Sequence, residues 1–200
     1  MTILLVRHAQ SAGNAAGVLS GAADLPLTDL GRAQAAALGE RLTSLSIAAV
    51  YASPLTRARD TAQATADRVG LPVTIVDGLR EASLGAAEGL SWAEIRDRWT
   101  LGSGATWADA IPGAEPGGEV RARVSATIDE LLERHPDEVV LCVSHAGTIT
   151  HALQHVLGTP LDVGLRFTVY HAALNVIEQS RSGPVLLTLN DRCHLELLDA

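Results

Sequence analysis

Apolar and polar positions along this chain fall into two alternating kinds of segment. Short, largely apolar runs at residues 2–6, 48–52, 73–76 and 139–144 read as strands, and the unbroken run at 3–6 suits a strand covered on both faces. Between them lie helical patterns. Residues 30–42 are rich in Ala, Leu, Arg and Gln, with Thr28 placed to cap them. Ser53-Pro54 predicts the next helix start, with Ser as N-cap and Pro in the first turn; that helix stops at Gly70, before Pro72. Ser91 and Glu94 form a capping box for a helix over 91–99, which puts Trp92, Ile95 and Trp99 on one face. Val120, Val124, Ile128, Leu131 and Leu132 make one stripe of a long helix ending near His135-Pro136. Residues 148–157 read as a helix closed by Gly158, and 166–170, 174–179 and 185–189 as strands, the last two joined by a turn over 180–184.

Two stretches lack a period. Residues 11–27 carry glycines and read as a long functional loop with a helical turn. Residues 101–118 are rich in Gly, Ala and Pro and form the mobile part of a short lid or cap insertion around 86–118. The alternation predicts the α/β class: a doubly wound three-layer α/β/α sandwich with a mainly parallel sheet and one antiparallel edge strand, in a single domain over 1–200.

Composition narrows the partners. With 47% hydrophobic residues and 3% aromatics, aliphatics and alanine must fill the core. All 15 basic residues are arginine, and the net charge of -8 argues against nucleic acid or an anionic membrane as partner. Cys142 lies in an apolar run and reads as a buried thiol; no Cys/His spacing suggests a metal site. The N-terminal run is too short for a signal peptide or a membrane span, so the expected address is cytoplasmic. A homodimer is left open.

Candidate chemistry sits at strand ends. Arg7-His8 follows the first apolar run, and His145 ends the run over 139–144. Ligand crevices of open α/β sheets form at such ends. A guanidinium beside an imidazole there suits a phosphoryl group, which needs forked cations and a nucleophile. Arg57 falls in the first turn of a helix after a strand, Arg80-Glu81 is followed by Gly85 and Glu88-Gly89, and Pro116-Gly117-Gly118-Glu119 precedes the long helix. Taken singly, each has a plainer reading. His8 and His145 could be satisfied turn histidines, Arg57 could pair with Asp60 or Thr61, and Glu81 with Arg80. Asn14 could cap a turn, and Glu119 could simply start a helix. Five ordered elements together outweigh five coincidences.

In this order the elements resemble the histidine phosphatase superfamily, the phosphoglycerate-mutase-like group, from Leu4 to the final strands. The resemblance implies His8 as the nucleophile that becomes phosphohistidine, Arg7 and Arg57 as phosphate ligands, His145 as the second histidine of the pocket, and Glu81 as proton donor. It implies substrate contacts at Asn14, Ser20, Gly21, Ala146 and Gly147, and no cofactor or metal. Ala9, Ala87 and Val120 depart from the family pattern at supporting positions. The segment between Glu81 and Glu119 lacks the lysine and tyrosine of phosphoglycerate mutases. The expectation is therefore a phosphomonoesterase acting on a small phosphorylated metabolite. A 2,3-bisphosphoglycerate-dependent phosphoglycerate mutase is the alternative, and a non-catalytic phosphate-sensing or scaffold protein the second. His135, His151, His155, His171 and His194 show no matching context. Trp92, Trp99 and Trp107 read as core or lid packing, with lining of a substrate pocket the other option.

Overall fold

The central sheet follows the expected alternation. In the computed structural model, which describes residues 1–164, 167–196 and 198, the strands are β1 (Thr2–Arg7), β2 (Ile47–Ala52), β3 (Val73–Ile75), β4 (Val139–Ser144), β5 (Leu174–Ser180) and β6 (Gly183–Asp191). The helices are α1 (Ala12–Ala15), α2 (Asp29–Leu42), α3 (Thr56–Val69), α4 (Trp92–Arg98), α5 (Gly117–Arg134) and α6 (Ala146–Val156). Strand order is β3-β2-β4-β1-β5-β6. The first four run parallel; β5 pairs antiparallel with β1 and with β6, giving an antiparallel pair at one edge.

Side-chain alternation along the strands makes the three layers. Ile3, Leu5, Val140 and Cys142 pack against Val124, Ile128 and Leu131 of α5 and Ile149 and Leu153 of α6. Leu4, Val6, Leu141 and Val143 face the other way, onto Leu38 and Leu42 of α2 and Ala58, Ala62 and Ala66 of α3. The small residues at every fourth position of α3 let it lie close to the sheet. A third cluster stands apart: Leu84, Ala87, Ile95, Ala108 and Ile111 form a separate core under the 84–114 segment. Among the described residues no helix is long and apolar enough to cross a membrane.

Three expectations change. α3 starts at Thr56, and Ser53 does not cap it. Asp24 serves its first turn instead, accepting from the Thr56 N–H and hydroxyl at 2.7 Å each. α6 starts at Ala146, two residues early, because the Glu81 carboxylate satisfies its first amides. The strand over 166–170 is not formed at its described residues 167–170 (Arg166 lies outside the described residues). There the Val169 carbonyl accepts from Arg7 and the Tyr170 amide donates to Asn190, so the backbone bonds go to side chains rather than to a ladder. The loop over 11–27 does hold its helical turn, α1, closed by a Ser11–Asn14 capping box.

Candidate active site

The register of the parallel strands brings the two histidines level. Arg7 lies opposite Ser144, so the next residues, His8 and His145, leave adjacent strands side by side. The ladder extends one step further, with His8 N–H donating to the Ser144 carbonyl (2.8 Å) and Ser53 N–H to the Val143 carbonyl (3.0 Å). The ring centroids of His8 and His145 are 5.0 Å apart. This is the carboxyl end of the sheet, at the point where chain order reverses between β1 and β4.

Both imidazoles are held by hydrogen bonds from within the protein. His8 Nδ1 is 2.7 Å from the Ala9 carbonyl. A carbonyl only accepts, so Nδ1 carries the proton and Nε2 keeps a free lone pair. His145 Nε2 lies 2.7 Å from Ser53 Oγ, which itself accepts the Leu55 N–H at 3.2 Å. The Ser53 hydroxyl can donate to His145 Nε2 or accept from it, and His145 Nδ1 is buried with no protein partner. Burial, first, and then the neighbouring imidazole and guanidiniums push His8 well below 6.5; burial and Arg57, Arg7 and Arg123 do the same for His145. Both rings are neutral at pH 7.

Two cations flank them. Arg57 is only 2% exposed; its Nη1 and Nη2 donate to the Ala23 and Gly21 carbonyls at 2.6 and 2.7 Å. Arg7 Nη1 donates to the Val169 carbonyl at 2.6 Å. Burial lowers the Arg7 guanidinium to about 10 and lowers Arg57 too, yet Arg7 remains charged at pH 7. Neither arginine has a carboxylate ion-pair partner among the described residues, and the Nε of each is buried and unpartnered. Glu81 favours both cations from a distance, with Asp24 and Glu88 adding to Arg57, but buried charge without a contact ion pair is costly unless an anion completes the site.

Glu81 reaches the same place from the loop after β3. Its Oε2 accepts from the Gly147 N–H (3.0 Å), and its Oε1 from the Thr148 N–H (3.1 Å) and its own following amide, Ala82 (3.0 Å); the Thr148 hydroxyl, 3.2 Å from Oε1, donates to the nearer Arg80 carbonyl (2.7 Å). The carboxylate thus rests on the amino end of α6, where the helix dipole favours negative charge. A Cβ at position 147 would meet Glu81 Oε1 at 2.7 Å, so glycine there lets the carboxylate approach. Arg80 does not pair with Glu81; it forks onto Glu115, which Arg123 also grips. Those two cations hold the Glu115 carboxyl down to about 2 against its burial.

A cavity of about 550 Å³ opens above these groups. Arg7, His8, Arg57 and Glu81 line it, together with Asn14, Ser20, Gly21, Ala146 and Gly147; His145 lies buried behind the wall. Some of these residues are also committed elsewhere. Asn14 Oδ1 accepts from the Ser11 amide and hydroxyl, and the Gly21 carbonyl braces Arg57. Gly21 has φ +50°, and a Cβ there would meet Glu88 Oε1 at 2.5 Å. Glu88 in turn ties the Ala22 and Leu84 amides together. Ser20 Oγ is buried and unpartnered.

Sequence reasoning missed several neighbours. Ser53 looked like a helix cap, and Thr148 like a helix residue. His171, given a plain reading, lines the cavity 6.1 Å from His8 by ring centroid; burial and Arg7 push it down to about 3. His151, on α6, also lines it, pushed down to about 4 by burial and by Arg121 and Arg123. The irregular segment before β5 and the spacing of four from Gly147 to His151 were the only signals available. The remaining plain readings hold: His135 bridges Tyr51 and Glu138, His155 meets Asp129, and Glu119 is exposed in the first turn of α5.

Comparison with known proteins agrees with this geometry. The chain is 35% identical over 171 residues to a glucosyl-3-phosphoglycerate phosphatase of Mycolicibacterium vanbaalenii, covering 80% of this chain and 76% of the relative. It is 32% identical over 206 residues to a probable phosphoglycerate mutase GpmB of Erwinia tasmaniensis, covering 98% and 95%. Bacillus stearothermophilus YhfR superposes with a TM-score of 0.87 at 29% identity, covering 98% of this chain and 99% of that one. The family model for the histidine phosphatase superfamily (branch 1) matches residues 3–192, and the chain belongs to that superfamily.

Proposed function

We propose that the chain is a phosphoric monoester hydrolase that works through a phosphohistidine on His8, with a small phosphorylated metabolite as substrate. The observation that carries this reading is a cluster of buried, unpartnered polar atoms beside a free imidazole lone pair: Nε of Arg7, Nε of Arg57, Oγ of Ser20 and Nδ1 of His145. Buried polar groups are nearly always paired, so a cluster of unpartnered polar atoms, the two guanidinium N–H donors among them, marks a place built for a ligand rich in acceptors. A phosphoryl group meets that requirement with three oxygens.

The reaction runs in two balanced steps. His8 Nε2 donates its lone pair to phosphorus, and the bond from phosphorus to the ester oxygen breaks. Glu81, which takes up a proton with the anionic phosphoryl group bound beside it, gives that proton to the departing alkoxide. Arg7, Arg57 and the His145 Nδ1–H hold the equatorial oxygens while charge spreads over them. In the second step water attacks phosphorus and gives a proton to the Glu81 carboxylate. The bond from phosphorus to Nε2 breaks, inorganic phosphate leaves, and His8 is neutral again. A bound dianion favours cationic His145, which adds to the hold on the phosphoryl oxygens. Asn14, Ser20, Gly21, Ala146 and Gly147 shape the walls, and the segment around 86–118 serves as a cap within a single-domain chain.

All these groups come from one chain, and the scheme needs no nucleic acid, membrane surface, cofactor or metal. The two free cysteines, Cys142 and Cys193, suit a reducing compartment such as the cytoplasm. Trapping with a ³²P-labelled phosphoester should give acid-labile phosphoenzyme in the native protein and none in His8→Ala, which should also lose about 10³-fold or more in turnover. Label retained in His8→Ala removes the assignment. The mutase reading has its own support in the Erwinia relative. It requires transfer within a phosphoglycerate that depends on 2,3-bisphosphoglycerate; phosphate release without that primer favours the hydrolase.

A further inference from the structure

The chain has only three Trp, two Tyr and one Phe, yet Trp92, Trp107 and Phe167 all line the one cavity above His8. Phe167 also packs against the core under α5 and α6, which holds Tyr51 as its one buried ring, while neither indole belongs to either sheet-face core. Trp107 packs partly against the cap cluster; Trp92 does not belong to it and stays 45% exposed. The two indoles lie against each other, with centroids 4.8 Å apart and planes tilted by 49°. An indole left this open forgoes much of the burial that usually makes tryptophan stabilising.

Charge at this end of the cavity is mostly paired within the protein. Arg7 and Arg57 belong to the phosphoryl end. The other ionisable linings are Glu81, Glu115 and the imidazoles His8, His151 and His171. Glu115 is a carboxylate locked between Arg80 and Arg123, and His151 is neutral at pH 7. Arg96 and Arg98 of α4 are exposed and do not line the cavity. Among the described residues lining the cavity no arginine besides Arg7 and Arg57 is present to meet a second anionic group, and a carboxylate on the leaving group would lie beside Glu81.

We propose that Trp92 and Trp107, with Phe167, form a subsite for a flat, uncharged ring on the leaving alcohol. The substrate class is then a phosphomonoester of a ring-bearing primary alcohol, such as an aromatic or nucleoside-like ester, rather than a phosphorylated acid. This rests on the hydrolase reading above and sharpens it by naming the leaving group. Stacking on one or two indoles plus ring burial gives about a tenfold or greater preference.

The test compares three esters of primary alcohols, so that leaving-group reactivity stays similar: 2-phenylethyl phosphate, propyl phosphate and 2-phosphoglycolate, which carries a carboxylate. We expect kcat/KM for the ring ester to exceed that for propyl phosphate about tenfold, with phosphoglycolate lowest. In Trp92→Ala and in Trp107→Ala the ring preference should collapse towards one, mainly through a raised KM. Trp99→Phe, which alters a side chain outside the cavity, should keep it. A wild-type ring preference near one overturns the subsite, as do phosphoglycolate as best substrate or equal losses on all three esters in the Trp variants. Failure of every ester to turn over would instead count against the hydrolase reading. The subsite is then judged in His8→Ala by titrating tryptophan fluorescence with 2-phenylethyl phosphate. Saturable quenching that Trp92→Ala loses supports it, and no response overturns it.

Discussion

The floor of the cavity and its cap are built on different principles. The floor is made where β1, β2 and β4 end, and its parts are placed by sheet register: His8, Ser53 and His145 each stand one residue beyond a ladder. The cap rests on its own small cluster around Ile95 and Ile111, separate from both sheet-face cores. It is joined to the body by specific stitches: Glu115 gripped by Arg80 and Arg123, Glu88 across two loops, and the Leu19 carbonyl and amide bonded to Gly89 and Leu90. A floor fixed by register cannot move one group without moving the sheet. A separately cored cap can change its lining while the chemistry below stays intact. In the proposed reaction the floor breaks the bond and the cap chooses the leaving group.

Glu81 tests that division most severely, because it stands on the floor through α6 yet meets the leaving group. Glu81→Gln should lower hydrolysis of alkyl esters by about 10²–10⁴-fold, the usual worth of a general acid. Nitrophenyl phosphate, whose leaving group needs no proton, should lose much less. Matching losses on both esters would remove the proton-donor role and leave Glu81 as a brace for the first turn of α6.

Acid should strike the floor before the cap. Burial holds His8 and His145 well below 6.5, His151 at about 4 and His171 at about 3. Unfolded, each takes its proton near 6.5. The folded state therefore binds fewer protons as pH falls, and its stability is full above 6.5 and declines below it. The loss runs from pH 6.5 down to about 4 for His151 and about 3 for His171, at up to about 1.4 kcal/mol per unit per group. Urea midpoints at pH 7.5, 5.5 and 4.5 should fall in that order. A midpoint that rises towards pH 4.5 would show that these rings are not held neutral.

Much of the floor was legible in the sequence, because strand-end motifs are local. Arg7-His8 and His145 are each announced by the apolar run before them, and Arg57 by a strand-to-helix junction. Their support was not legible. Ser53-Pro54 has the composition of a helix start, yet the Ser53 hydroxyl is spent on His145 and the capping falls to Asp24, 32 residues upstream. That choice depends on β2 lying beside β4, which no local pattern records. Residues 167–170 read as a strand because β-branched and aromatic residues fit any half-buried surface. Here the surface is a cavity wall. The cap was visible only as a loss of periodicity, and the two-indole wall only as an amphipathic stripe that mixed Ile95, which is fully buried, with Trp92, which is not.

Ser53 offers a smaller cut at the floor. Its hydroxyl does not line the cavity; it holds the His145 ring through Nε2. Ser53→Ala should leave the fold in place and lower kcat/KM about tenfold, the worth of one buried hydrogen bond near 1 kcal/mol plus the looser hold on the His145 ring. The loss should be the same for 2-phenylethyl and propyl phosphate, since the floor treats all leaving groups alike. Ser53→Thr, which keeps the hydroxyl, should restore most of it. A loss confined to one ester would mean that the floor, too, takes part in selection.

The mildest test removes one methyl from each region. Ile95→Val in the cap and Ile128→Val under the sheet both delete a fully buried methyl, and each should cost about 0.5–1.5 kcal/mol. The functional outcomes should differ. Ile128 packs in the layer of α5 and β1, away from the cap, so its variant should keep the wild-type preference among esters. Ile95 lies one turn of α4 from Trp92, and a gap beneath it lets α4 settle and shifts that indole against Trp107. Its variant should change KM for the ring ester a few-fold while kcat on propyl phosphate stays near the wild-type value. Equal stability losses with unequal effects on selection would separate cap from floor at the level of a single methyl group. An altered preference in Ile128→Val would show instead that the two regions share one mechanical unit.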